Sequence, residues 1–115
     1  MLEDLQGASK RSLPAFHKGI HAIRQGDYSA AAERFAEGLA IDPDNVPARV
    51  SYARALYLSG RADDAEKELA RALATKPDQL LASFLQGVLL QQQGKPDRAA
   101  DYYRQSLGID PGFAG

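Results

Sequence analysis

The chain has 115 residues, enough for one domain, with 44% hydrophobic and 25% charged residues and a net charge of −1. That balance is globular rather than disordered, and it lacks the basic surplus that nucleic-acid binding needs. With no cysteine, a disulfide, a zinc–thiolate centre and a cysteine nucleophile are all excluded.

Residues 1–11 open the chain without the apolar core of a signal peptide. The first predicted helix covers 12–25. Ser12 with Pro14 marks its start, Leu13, Phe16, Ile20 and Ile23 form an apolar stripe, and Gly19 lies midway. Gly26 closes it, where a left-handed residue costs least. A second helix is predicted over 28–41, with Ala31, Phe35 and Leu39 at helical spacing, and Pro43 ends it. The third helix spans 46–59, capped by Asp44 or Asn45, with Pro47 in its first turn and Ala53 midway. Gly60 leads into a fourth helix over 62–75. There Asp63, Asp64, Glu66 and Glu68 are interleaved with Lys67 and Arg71, which reads as a solvated outer face. Asp78 is the predicted cap of a fifth helix, 80–93. Its stripe is Leu81, Phe84, Leu85 and Val88, with Gly87 in its interior. After Gly94 a sixth helix is predicted over 96–109. No β signal occurs, and no apolar run is long enough to span a membrane.

Three stretches align at a spacing of 34 residues. Glycine recurs at 26, 60 and 94, alanine at 31, 65 and 99, and a large apolar or aromatic residue at Phe35, Leu69 and Tyr103. Small residues recur at Gly38, Ala72 and Ser106, and proline at 43, 77 and 111. Gly19, Ala53 and Gly87 keep the same step on the first helix of each pair. A fixed period of this length marks a stacked repeat. The small residues are expected where two helices approach closely, since an interior glycine otherwise costs about 1 kcal/mol relative to alanine.

These residues resemble the tetratricopeptide repeat family, whose unit is a helix–turn–helix with a small residue in the first helix, then A-x3-F and a closing proline. The matching residues are Gly19, Ala31, Phe35 and Pro43, then Ala53, Ala65, Leu69 and Pro77, then Gly87, Ala99, Tyr103 and Pro111. The resemblance divides the chain into an extension, 1–11, and a three-repeat domain, 12–113, with units 12–45, 46–79 and 80–113. Two departures stand out. The family's early tryptophan is Ala15, Arg49 and Ser83 here, and the leucine before the small residue is Lys18 in the first unit.

The fold implied is all-α, an α-solenoid of about six helices wound as a right-handed superhelix, with the first helices lining a concave groove. The implied function is a non-enzymatic scaffold for protein–protein interaction. Family geometry directs Leu13, Phe16, His17, Ile20, Ile23 and Arg24 into that groove from the first unit. Val50, Ser51, Arg54, Tyr57 and Leu58 come from the second, and Leu81, Phe84, Leu85, Val88, Gln91 and Gln92 from the third. The positions that clamp the acidic tail of heat-shock chaperones in some members hold Phe16, Ile20, Ser51, Leu81 and Leu85 here. A partner's apolar segment is therefore the expected ligand, rather than a chaperone tail.

The alternatives are packing of the groove against "MLEDLQ", against a second copy, or against the rest of a longer protein. No seventh helix follows the third unit, so Tyr102, Tyr103, Leu107, Ile109 and Phe113 are expected to lack cover. Self-association through Tyr102, Tyr103, Leu107 and Phe113, as a possible homodimer, or origin in a longer repeat array follows from that. His17 and His21 share a helix face, but Lys18 stands where the metalloprotease motif needs glutamate, and two ligands make a weak site. "GKPDRAAD" lacks the second glycine and the Ser/Thr of a phosphate loop. No catalytic residue, metal or cofactor is expected, and no nucleic acid or membrane insertion. The expected compartment is the cytoplasm, or the periplasm if the chain belongs to a longer exported protein.

Overall fold

The computed structural model describes residues 10–109. Six α-helices follow in order: α1 (Leu13–Arg24), α2 (Tyr28–Ile41), α3 (Val46–Leu58), α4 (Ala62–Thr75), α5 (Leu80–Gln92) and α6 (Pro96–Ile109). No strand occurs among the described residues. The chain is an all-α helical repeat. Every helix lies within one residue of the range its periodicity predicts.

Three identical turns enforce the period. Gly26, Gly60 and Gly94 have φ of 78°, 88° and 75°, the left-handed conformation that a Cβ penalises. In the first turn the Gly26 N–H donates to the Ile23 carbonyl at 3.0 Å and the Asp27 N–H to the Ala22 carbonyl at 2.9 Å. Gly60 and Arg61 repeat the pair on Tyr57 and Leu56, and Gly94 and Lys95 repeat it on Gln91 and Leu90. This double bond, six residues back to one and five to two, is the Schellman closure that satisfies the orphan carbonyls of a helix end.

Helix starts follow the expected chemistry in part. Asn45 accepts from the Ala48 N–H at 2.9 Å and caps α3, and Asp27 accepts from the Ala30 N–H at 3.2 Å and caps α2. Ser12 holds the N-cap position of α1 but makes no side-chain cap bond. Its hydroxyl instead donates to Asp42 Oδ2 at 3.4 Å, across the α1–α2 hairpin. The expected cap of α5 also shifts by one residue. Gln79, not Asp78, is the N-cap, and its Oε1 accepts from the N–H groups of Leu81 and Ala82 at 3.0 and 3.3 Å.

The chain divides into two compact units, one ending at Glu68 and the other beginning at Leu69, inside α4. In the first unit α2 packs against both α1 and α3. Phe16, Ala31, Phe35, Ala48, Ala53, Ala55 and Leu56 are fully buried. The Phe16 and Phe35 rings lie 6.3 Å apart. A Cβ at Gly19 would sit 2.9 Å from the Phe35 ring, and one at Gly38 would overlap the Phe16 ring. Both glycines are therefore openings that admit an aromatic ring from the facing helix. In the second unit α5 packs on α6, and Leu89, Leu90 and Ala99 are buried. There the same device recurs: a Cβ at Gly87 would sit 2.6 Å from the Tyr103 ring, sixteen residues on, as Phe35 is from Gly19.

Candidate interaction surface

This packing leaves part of the first helix of each pair open. On α1, Leu13, Ile20 and Ile23 are half-buried, and His17, Lys18, His21 and Arg24 are exposed. On α3, Ser51 and Tyr57 are half-buried, Arg54 is exposed and Leu58 is 38% exposed. Ile20, Ile23 and Arg24 share one face of α1 by their three- and four-residue spacing, as Arg54, Tyr57 and Leu58 do on α3. In the second unit, α5 buries Ala82, Ser83, Gln86, Gly87, Leu89 and Leu90. Its remaining stripe is Leu81, 51% exposed, with half-buried Phe84, Leu85 and Val88.

Two residues read as groove lining lie elsewhere. Phe16 is fully buried, because the missing side chain at Gly38 opens a slot that its ring fills. Val50 is also core, 5% exposed. Both follow the same helical period as the open residues. Periodicity places a residue on the apolar side of a helix without saying whether a second helix covers it.

The last helix also differs from its reading. Tyr103 was expected to be uncovered, yet its ring lies 5.8 Å from that of Phe84 and over Gly87, and its hydroxyl donates to Gln91 Oε1 at 2.7 Å. Leu107 is 45% exposed. Tyr102, half-buried, lines an open depression of about 280 Å³ with Arg98, Asp101 and Gln105. Phe113 lies outside the described residues, and the side chain of Ile109 is likewise not described.

Among the carboxylates of α4, Glu68 is not part of a solvated face. It pairs with Arg49, whose Nη1 donates to both oxygens at 2.9 and 3.1 Å while Nη2 donates to the Pro43 carbonyl at 2.8 Å. Their side chains are 9% and 15% exposed. Arg49 stands where the family pattern has tryptophan, so a planar cation with two anchors fills that position. A buried carboxylate needs a partner. The nineteen residues separating the two hide that pairing from any local pattern. Asp64 does lie outward, paired with Arg61 at 2.9 Å.

Among the described residues, no three His, Cys, Asp or Glu side chains gather as a metal site. No helix there is long and apolar enough to cross a membrane.

Comparison with known proteins agrees with this architecture. A family model described as tetratricopeptide repeat matches residues 22–86, and a second of the same description matches 82–113. The uncharacterized protein y4yS of Sinorhizobium fredii is 35% identical over 107 residues, which covers 93% of this chain and 57% of that protein. Tetratricopeptide repeat protein 36 of Homo sapiens is 31% identical over 101 residues, 84% of this chain and 53% of that protein. The chain thus spans little more than half the length of these two relatives. The first TPR domain of Spaghetti (RPAP3), bound to the HSP90 peptide SRMEEVD, shares the fold with a TM-score of 0.87 at 24% identity, covering 92% of this chain and 84% of that one. The 34-residue step, the three glycine closures and the ring-filled small-residue slots belong together for this reason: the chain is a member of the tetratricopeptide repeat family.

Proposed function

We propose that this chain is a non-enzymatic scaffold that holds an apolar segment of a partner protein, with the open face of α5 as part of that contact. The observation that carries the reading is α5. Leu81, Leu85 and Val88 lie in line outside its buried set, with Leu81 51% exposed, beside Phe84, whose ring packs on Tyr103. A soluble helix leaves such a stripe unpolarised where something else covers it. The row has the spacing of a helix-in-groove contact, and each apolar side chain fully buried there contributes on the order of 1.5–3 kcal/mol.

The likeness to a domain that carries an HSP90 peptide supports peptide display on this fold. The positions that clamp the chaperone tail hold Phe16, Ile20, Ser51, Leu81 and Leu85 in this chain, and none of these carries the positive charge or amide of that clamp. The ligand chemistry is therefore apolar and different from that peptide.

Selection from a displayed library of helical peptides tests the reading. Binders rich in Leu and Phe are expected, and Leu81→Glu, alone or paired with Leu85→Glu, is expected to abolish their binding with the circular dichroism spectrum unchanged. Binders indifferent to both changes would remove α5 from the site. Self-association is the second reading, supported by exposed Leu107 on α6. Light scattering across a concentration series separates it, since a monomer throughout disposes of it.

A further inference from the structure

Both histidines of the chain stand on one face of one helix. The sequence holds two, His17 and His21, four residues apart on α1. Residues at that spacing stand one above the other, with Cβ atoms about 5–6 Å apart. Both side chains are exposed, and neither has a hydrogen bond or ion pair among the described residues. Each ring therefore keeps its nitrogens for a ligand from solvent.

Two ligands make a weaker site than three or four, but the backbone beneath this pair is held still. Phe16, the residue before His17, is fully buried and fills the space at Gly38. Gly19, between the two histidines, faces the Phe35 ring. That joint fixes the turn on which the pair stands, so a bound ion arrests side-chain rotation alone. Two imidazoles on a fixed turn act as a chelate, because the second ligand is already beside the ion when the first has bound.

We propose that His17 and His21 form a two-point site for one late divalent transition ion, Cu(II), Ni(II) or Zn(II), the ions that imidazole nitrogens suit. Water fills the remaining positions, as it does in zinc sites that keep one open. Mg(II) and Ca(II) are excluded, since they take oxygen ligands and α1 carries no Asp or Glu. Lys18 follows His17, Arg24 lies three residues after His21, and both are exposed. Their charge opposes the ion and keeps the affinity below that of a closed four-ligand centre. The site lies on α1 alone and does not depend on the scaffold reading.

Calorimetric titration of the whole chain, without a histidine tag, with CuSO4, NiCl2 and ZnCl2 tests this. The expected result is one ion per chain, tightest for Cu(II), and no binding of MgCl2. His17→Ala and His21→Ala should each weaken binding by about tenfold or more, with the circular dichroism spectrum unchanged. His21→Ala/Arg24→His keeps two histidines but sets them seven residues apart, about 10 Å along the axis and beyond the reach of one ion. It should bind no more tightly than His21→Ala, although an opposing charge has gone. Binding that survives in both single variants places the ion elsewhere and overturns the pair. A seven-residue spacing that binds as tightly as wild type overturns the chelate, and a chain that takes up none of the three ions overturns the site.

Discussion

The ring of Phe16 on α1 occupies the space that a side chain at Gly38 on α2 would need. The pair is enclosed, with the Phe35 ring tilted beside that of Phe16 and filling the slot at Gly19 in turn. Two aromatic rings and two glycines thus make one reciprocal joint, each helix giving a ring and taking one.

Gly38→Ala is therefore expected to destabilise the protein by about 1–3 kcal/mol, despite the ~1 kcal/mol that alanine gains in helix propensity. Gly19→Ala, with its Cβ 2.9 Å from the Phe35 ring, should cost less. Adding Phe16→Leu to Gly38→Ala should recover part of the loss, a coupling that urea unfolding of the two single variants and the double variant measures. Additive effects would show that the ring and the glycine do not share the space.

At Gly26, Gly60 and Gly94 the argument reverses. A Cβ there meets nothing within 4 Å, and only the positive φ resists it. Alanine at any one should cost about 1 kcal/mol from backbone strain, and asparagine less, because it tolerates the left-handed region. Three nearly equal values from chemical denaturation would confirm that the turns are equivalent.

Arg49 and Glu68 form the enclosed ion pair described above. Removing either partner takes the two-bond contact from a nearly buried charge, so Arg49→Ala should cost about 3 kcal/mol and Glu68→Gln a similar amount. Replacing both by methionine should cost less than either single change, since no buried charge is then left alone. Thermal unfolding of the three variants decides this, and a double variant worse than both singles would contradict it.

The caps give a fourth comparison. Asn45→Ala should cost about 1 kcal/mol by releasing the Ala48 N–H. Asp78→Ala should fall within about 0.5 kcal/mol of wild type, because Gln79 makes the cap bonds on α5. Equal losses at both sites would place the cap on Asp78 after all.

The repeat, the six helices and the small-residue slots are legible in the sequence because each has a local cause. A glycine every 34 residues imposes a left-handed turn wherever the chain is, and apolar spacing of three and four residues fixes which side of a helix faces inward. The assignments that missed are those that depend on what lies across from a residue. Phe16, Ile20 and Leu13 share one apolar stripe, and only the gap at Gly38 decides that Phe16 is enclosed while Ile20 keeps a half-open face. Tyr103 reads as uncovered from the pattern of its own helix, yet Phe84 and Gly87 on the preceding helix give it a seat and Gln91 Oε1 accepts a hydrogen bond from its hydroxyl.

Sequence alone thus determined the period, the turns and the family of this protein, since these follow from backbone conformation and residue spacing, both local quantities. Tertiary structure decided which apolar residues are enclosed, which stay open, and which carboxylate is buried. Burial is set by the neighbour that arrives from another helix, and a one-dimensional pattern holds no record of that distance.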